Sequence, residues 1–266
     1  MELREACRAA GIGVVVTSDH VGPPRLHRAV PALYARLVIS LGAPIEVRYD
    51  GHVHHMPAVV AGLMRPGIAT PTLTLRSNQP TVYVELSPLT LHRLTGVPPS
   101  AVDAGGIDAD VLLPWVGWAR AELATHPVQQ RAWLMRVRLL EQLERANRIA
   151  ASHDALASLR FIASSGGRVS VTELARHAHL SPRHLRHVMR HELGIGPKFA
   201  ARVARLGTAV RRASEGADSW AQVAADSGYS DQSHLVREFT ELMRTTPSGW
   251  LAEESRNLQG WRQPAP

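Results

Sequence analysis

The sequence contains little cysteine, few aromatic residues and no long hydrophobic run. Cys7 is the only cysteine among 266 residues, so an intramolecular disulfide is excluded and a reducing compartment is expected. No apolar run approaches the roughly 20 residues of a membrane span, and residues 1–13 lack the basic-then-hydrophobic pattern of a signal peptide. These absences predict a cytoplasmic protein without a membrane partner.

Familiar catalytic patterns are also missing. The sequence has no P-loop, no GxGxxG, no HExxH and no GxSxG. No cofactor is therefore predicted. The chain is basic, with 30 Lys and Arg against 23 Asp and Glu and a net charge of +7, and this charge favours partners that carry phosphate.

The last third of the sequence repeats one pattern twice: a short helix, a tight break and a second helix. The first copy runs from Leu174 to Met189, and the second runs from Val223 to Phe239. Units of this kind dock their second helix in the major groove of DNA. Two units in tandem predict a reader of double-stranded DNA that occupies successive grooves.

In the first copy, apolar residues at helical spacing define a buried face on each helix, while Ser181 and Pro182 mark the start of the second helix. The exposed residues of that helix are predicted to contact DNA, and they are Arg183, Arg186, His187 and Arg190. In the second copy, the corresponding polar residues are Gln232, Ser233, His234 and Arg237.

A linking helix is predicted between the copies, from Pro197 to Ala213, with a length of about 25 Å. It would separate the two reading helices by nearly one DNA turn, about 34 Å. Residues 168 to 212 contain ten Lys or Arg against two acids, as phosphate neutralisation would require. We therefore expect the first unit to dominate affinity and the second unit to adjust register or specificity.

The second copy resembles the signature of the AraC family of bacterial transcription regulators. The matching residues are Ala224, Gly228, Tyr229, Ser233, Leu235, Arg237, Phe239, Thr246, Pro247 and Trp250. The resemblance covers residues 153 to 252, and it implies base-reading positions at Arg183, Arg186 and His187 and at Gln232, Ser233 and Arg237. The family usually has glycine where this chain has Arg244, so either a strained backbone angle or a different turn is expected there.

The N-terminal region, residues 1–108, has short apolar runs broken by glycine and proline, which predict an antiparallel sheet or small barrel. Helices are predicted from Val111 to Thr125 and from Gln129 to Ala150. The second of these has an apolar stripe that suits either a dimer face or packing onto the sheet. The stripe consists of Ala132, Met135, Leu139, Leu143, Ala146 and Ala150.

The sequence therefore predicts an α+β protein. Its parts are a cupin-like β-rich sensing domain (1–108), a helical connector or dimerisation segment (109–150) and an all-α AraC-type DNA-binding domain (151–266). The resemblance implies a small-molecule effector, a possible homodimer, RNA polymerase as a partner if the protein is an activator, and association with the nucleoid. Trp115, Trp118 and Trp133 either line an effector pocket or pack in the hydrophobic core, and the sequence leaves both alternatives open.

A second hypothesis is a metal-dependent cupin-type enzyme or sensor with a DNA-targeting tail. His52, His54 and His55 follow a turn that is predicted at Asp50-Gly51, and His20 or His27 would supply a further ligand. The simpler interpretation of the three histidines is a polar hairpin tip.

Overall fold

The computed structural model describes residues 2–20, 23–146 and 153–254. The described chain divides into two compact units, of which the first comprises residues 1–25, 34–63 and 73–151. The second comprises residues 26–33, 64–72 and 152–266. Two short pieces of the N-terminal half thus belong to the unit that contains the C-terminal helices.

The strands form two sheets. They are β1 (Ile12–His20), β2 (Arg25–Arg28), β3 (Ala35–Ser40), β4 (Ile45–Tyr49), β5 (His52–Met56), β6 (Ala58–Ala61), β7 (Thr72–Leu75), β8 (Gln79–Leu86) and β9 (Ile107–Asp108). One sheet has the order β1-β8-β3-β6-β9 and the other has the order β2-β7-β4-β5. The pairings β1 with β8, β3 with β8 and β6, β4 with β5, and β6 with β9 are all antiparallel. The antiparallel sheet predicted for residues 1–108 is confirmed.

The β4–β5 hairpin turns at Asp50 and Gly51, as the sequence predicts. Their φ angles are 49° and 77°, and positive φ at both central positions is the geometry of a tight two-residue hairpin turn. Glycine adopts such angles without a Cβ clash, and aspartate tolerates them better than most residues.

The helices of the first unit are α1 (Leu3–Ala9), α2 (Pro88–Thr95), α3 (Ala109–Leu112), α4 (Trp115–Thr125) and α5 (Val128–Arg145). Alternate residues of β3 and β8, such as Leu37 and Val84, are fully buried in one core cluster. Met135, Leu139 and Leu143 of α5 belong to the same cluster. The apolar stripe therefore packs within its own unit, and its buried residues offer no face to a second copy. Ala150 lies outside the described residues.

The second unit contains α6 (His153–Ser164), α7 (Val171–His177), α8 (Pro182–Leu193), α9 (Pro197–Ser214), α10 (Trp220–Asp226), α11 (Gln232–Met243) and α12 (Pro247–Glu254). Phe239 lies edge-on to Trp220 and Trp250, with ring centroids 6.5 and 6.1 Å apart, and all three side chains are buried. The linking helix is α9, and its eighteen residues span about 27 Å.

A piece of the N-terminal half is held in this unit by two acidic residues of α12. The Arg28 guanidinium donates two hydrogen bonds to Glu253, at 3.0 and 3.3 Å. The Arg28 backbone N–H donates to the buried Glu254 carboxylate at 2.7 Å, and His27 Nδ1 lies 3.0 Å from the other Glu254 oxygen.

No helix within the described ranges is long and apolar enough to cross a membrane.

Candidate nucleic-acid interface

The turns of the two helix pairs have the same hydrogen-bond pattern. The Leu180 N–H donates to the Ala175 carbonyl at 2.9 Å, and the Tyr229 N–H donates to the Ala224 carbonyl at 2.9 Å. The residue before each donor has positive φ, 54° at His179 and 80° at Gly228. The sequence repeat is therefore a structural repeat, with His179 in the position that Gly228 occupies in the second copy.

In the first helix pair, α7 and α8, side-chain caps fix the start of each helix. The Ser181 hydroxyl accepts from the His184 N–H at 3.2 Å, and Pro182 is the first residue of α8. At the start of α7, Ser170 and Glu173 each accept the other's backbone N–H, at 3.1 and 2.9 Å. The backbone hydrogen bond from Ser170 lowers the pKa of the Glu173 carboxyl from its ordinary value.

Helix α8 buries Leu185, Met189 and Leu193 and exposes two parallel rows of basic side chains. At about 100° per residue, three arginines form one row and three histidines form the adjacent row. The arginine row is Arg183, Arg186 and Arg190, and the histidine row is His184, His187 and His191. Among the described residues, the arginine row has no ion-pair partner, so it adds positive charge to this face.

The second recognition helix, α11, begins at the cap residue Asp231. The Asp231 carboxylate accepts from the His234 N–H at 2.7 Å, and this hydrogen bond is the main cause of a lowered Asp231 pKa. The exposed row of α11 contains Ser233 and Arg237 and continues to Thr240 and Arg244. Gln232 and His234 are half-buried beside this row, and His234 Nδ1 lies 3.1 Å from the Ser230 hydroxyl.

Each recognition helix ends at a residue with left-handed backbone. That residue is Gly194 after α8, with φ 75°, and Arg244 after α11, with φ 55°. Of the two alternatives expected at Arg244, the strained angle is observed. The helix end keeps its capping hydrogen bond, from the Arg244 N–H to the Thr240 carbonyl at 2.9 Å.

A buried carboxylate joins α11 to the linking helix. Glu238 has 6% of its surface exposed, and it accepts from Arg202 Nε at 2.9 Å and from the Tyr229 hydroxyl at 3.0 Å. Arg205 Nε lies 3.5 Å from the Glu238 carboxylate, and its guanidinium stacks over the Tyr229 ring at 5.1 Å. Burial, followed by the Glu238 charge, raises the pKa of the Tyr229 phenol, which stays protonated at neutral pH.

This network changes how the basic charge of the linking helix is interpreted. Arg202 pairs with Glu238 and Glu241, and Arg205 pairs with Glu238. Arg211 and Arg212 lie 3.4 and 3.6 Å from Glu215. Four of the ten cations that the sequence assigns to phosphate neutralisation therefore have carboxylate partners. Among the described residues, three of the six without such a partner form the arginine row of α8.

The sequence analysis missed part of each exposed face. His184 and His191 complete the histidine row, and Thr240 and Arg244 complete the exposed row of α11. Helical spacing from His187 and from Arg237 identifies all four, because residues three, four and seven apart share a face.

The three N-terminal histidines lie together on β5 but are not arranged as a ligand set. His52, His54 and His55 are exposed, and His55 Nε2 lies 3.8 Å from a Glu46 oxygen. Glu46 also accepts from Arg48 and Thr74. Within the described ranges, no group of three His, Cys, Asp or Glu side chains is placed to hold a metal ion.

A half-buried polar cluster lies in the first unit, on the face of the five-stranded sheet opposite the core. Arg36 Nε donates to the Tyr83 hydroxyl at 3.3 Å, and the Tyr83 hydroxyl donates to Glu85 at 3.3 Å. The Arg36 guanidinium stacks over the Tyr34 ring at 5.2 Å. Burial raises the pKa of both the Tyr34 and the Tyr83 phenol.

The tryptophans proposed as pocket lining differ in their surroundings. Trp133 is 58% exposed and lines a cleft of about 370 Å³ on the α4–α5 side, together with His126, Gln129, Gln130 and Leu134. Trp118 lies under the Arg138 guanidinium at 5.6 Å, and its ring centroid is 6.5 Å from that of Trp115.

Part of the sequence matches a known domain family, and the fold is similar to that of solved structures. Residues 174–253 match the model of the helix-turn-helix domain family. A crystal structure of ToxT from Vibrio cholerae, in its P21 form, is 11% identical with a TM-score of 0.53, and the match covers 94% of this chain and 100% of that chain. Wild-type ToxT of Vibrio cholerae with a bound unsaturated fatty acid is 11% identical with a TM-score of 0.53, and the coverage is 95% and 96%. No curated protein sequence matches the chain.

Proposed function

We propose, from the AraC-type helix-turn-helix domain that residues 174–253 form, that both helix pairs read DNA and that a small molecule controls the reading. The helix-turn-helix domain and the ToxT-like fold support a DNA-binding regulator of transcription. The observation that carries the assignment of the reading residues is the exposed arginine row of α8, which has no ion-pair partner in the part of the chain that the structure describes.

The first helix pair, α7 and α8, supplies most of the affinity in this proposal. Its recognition helix carries Arg183, Arg186 and Arg190, whereas the second recognition helix exposes Arg237 and Arg244 beside the acidic Glu241. The residues assigned to DNA contact are Arg183, Arg186, His187, Arg190, Gln232, Ser233, His234 and Arg237. Arginine at a base edge discriminates through two hydrogen bonds to guanine, and arginine at a phosphate contributes affinity without sequence information.

The first experiment selects bound duplexes from a random DNA pool with the full chain. The affinity of the enriched duplex is then measured for wild type and for Arg186→Ala. We expect a loss of about 1–3 kcal/mol and relaxed preference at one base pair if Arg186 reads a base. A uniform loss with a salt slope reduced by about 1 would instead assign Arg186 to a phosphate.

Arg160 provides the matched control, since it is exposed on α6 of the same unit and lies outside both recognition helices. Arg160→Ala should keep the wild-type affinity. If the full chain enriches no sequence, specific reading by these helices is refuted.

The proposed effector acts through the β-rich half. Two observations support it: a ToxT structure of the same fold holds an unsaturated fatty acid, and the half-buried cluster of Tyr34, Arg36, Tyr83 and Glu85 offers donors and acceptors on the sheet face opposite the core. The test measures DNA affinity and thermal unfolding with and without an unsaturated fatty acid, for wild type and for Arg36→Gln. A fatty-acid effect of equal size in both proteins would remove Arg36 from the site, and no effect in wild type would remove this ligand class.

A homodimer and contact with RNA polymerase stay predictions. The apolar stripe of α5 is buried, so a dimer would have to use another surface. Sedimentation equilibrium of the full chain, with and without the selected duplex, measures the stoichiometry directly.

A further inference from the structure

The histidine row of α8 lies where the first helix pair is proposed to contact DNA. Successive rings along the row are close to parallel, with centroids 6.5 Å apart for His184 and His187 and 6.3 Å apart for His187 and His191. His187 lies at the middle of the exposed face, opposite Leu185 and Met189. The row thus places three titratable side chains beside three permanent cations on one recognition helix.

The charged groups around the row are mostly cationic. On α8 itself, the arginine row borders it, and Glu192 Oε1 lies 3.4 Å from His191 Nδ1. The helices that pack against α8 are α6, α7 and α9. The ionisable residues of these helices are His153, Asp154, Arg160, Glu173, Arg176, His177, Lys198, Arg202, Arg205, Arg211 and Arg212. Glu173 caps α7, and His177 stacks on Phe161 at 4.2 Å. Among the contacts of the described residues, Glu192 provides the only carboxylate on the row.

Histidine changes its charge between about pH 5 and pH 8, and a nearby opposite charge favours the protonated form. The histidine row is exposed on the same helix face as the arginine row, so a DNA backbone that meets the arginines also lies close to the imidazoles. DNA phosphates attract imidazolium and therefore favour the protonated form in the complex. The complex would therefore hold more protons than the free protein, and its affinity would increase as the pH falls.

We propose that His184, His187 and His191 make DNA recognition by this chain proton-linked, so that binding takes up protons and tightens at mildly acidic pH. The inference rests on the proposed function, because it needs α8 at the DNA. It goes further in assigning the histidine row a role that the arginine row cannot have, since guanidinium keeps its charge at every pH of interest.

The experiment measures the affinity of the full chain for the selected duplex at pH 8.0 and pH 6.0 and at constant ionic strength. Uptake of one proton increases affinity by at most about tenfold per pH unit. We expect wild type to bind about tenfold more tightly at pH 6.0, with a salt slope steeper by roughly 1 where a protonated imidazole meets a phosphate. The triple variant His184→Gln, His187→Gln, His191→Gln should change by less than about twofold between the same pH values.

A matched control is built into the chain. His52, His54 and His55 are three exposed histidines on β5, outside the second unit. The triple variant His52→Gln, His54→Gln, His55→Gln should keep the full pH dependence. Calorimetric titration in two buffers of different ionisation enthalpy provides a second readout, because proton uptake on binding is absent if the row has only a structural role.

The outcomes separate the inference from the proposed function. Wild-type affinity that is equal at both pH values overturns the inference and leaves DNA reading intact. Wild-type pH dependence in the α8 triple variant assigns the linked protons to other groups and also overturns it. Absence of binding to any duplex at either pH refutes the proposed function itself.

Discussion

Removal of the Glu238 carboxylate should destabilise the second unit more than any surface change nearby. Glu238 is 6% exposed, and it receives hydrogen bonds from Arg202 and Tyr229 while Arg205 lies 3.5 Å away. In Glu238→Ala, two guanidinium groups that are packed against the carboxylate lose their buried counter-charge. The Tyr229 hydroxyl loses its acceptor at the same time.

The size of the effect follows from burial. Breaking a buried ion pair by removing one partner costs about 3–5 kcal/mol. The side chains of Arg202 and Arg205 are 22% and 21% exposed, so water can rehydrate them in part and the lower end of that range applies. We expect a loss of about 3 kcal/mol, which corresponds to a lowering of Tm by roughly 10 °C.

Glu241 supplies the matched control, because it pairs with the same Arg202 from an exposed position. Its side chain is 60% exposed, and Arg202 Nη2 donates to it at 2.6 Å. Exposed pairs contribute about 0–1 kcal/mol, so Glu241→Gln should lower the free energy of unfolding by less than 1 kcal/mol.

The assay is calorimetric unfolding of the full chain, in which the transition of the second unit is followed in wild type and in both variants. Glu238→Gln keeps an acceptor for Tyr229 and should fall between wild type and Glu238→Ala. Equal losses for Glu238→Ala and Glu241→Gln would refute the argument, because burial would then not decide the energy of these pairs.

Two further predictions concern the backbone and acid stability of the second unit. Arg244 and His179 have φ of 55° and 54°, where an L-residue costs about 1–2 kcal/mol and glycine costs about 0.5–1 kcal/mol in entropy. Arg244→Gly and His179→Gly should each increase the free energy of unfolding by about 0.5–1 kcal/mol in urea titrations, and an unchanged midpoint would show that neither position is strained. Glu173 has a lowered pKa in the folded state, so its contribution is present above the ordinary glutamate pKa and is lost as the pH falls through the folded value. Thermal unfolding of Glu173→Gln should therefore show a lower Tm than wild type at pH 7 and the same Tm in strong acid, and a constant difference across pH would contradict the capping role.

The tandem helix pairs could be predicted from the sequence because their signals are local. Ser181 and Pro182 mark the start of α8 by capping and by fixed φ, and the prediction needs no distant residue. The turn of the β4–β5 hairpin was predicted from Asp50-Gly51 for the same reason. The end of α11 at Arg244 was expected from the family resemblance instead, because the family usually has glycine at that position.

The parts that were missed depend on residues far apart in the chain. Strand β1 pairs with β8 across 59 to 74 positions, and nothing in Ile12–His20 alone indicates its partner. The contacts of His27 and Arg28 with Glu253 and Glu254 likewise join residues more than two hundred positions apart. Local hydrophobic periodicity does not predict such pairings. It indicates which face of a helix or strand is apolar, but it does not indicate which residues cover that face.

The count of basic residues overestimated the unpaired charge of the linking helix for a related physical reason. A sum over residues 168 to 212 treats each arginine as a free cation, yet Arg202 and Arg205 project toward a carboxylate that lies thirty-three or more positions later in the chain. A paired guanidinium contributes little to the field that a phosphate experiences, since Glu238 and Glu241 together carry as many negative charges as Arg202 and Arg205 carry positive ones. The positive charge that this stretch presents to a partner is thus set by pairing in the fold, and three of the six cations left without a carboxylate among the described residues form the arginine row of α8. The same pairing fixes α11 against α9, so arginines that the sequence assigned to binding the partner instead orient the second recognition helix.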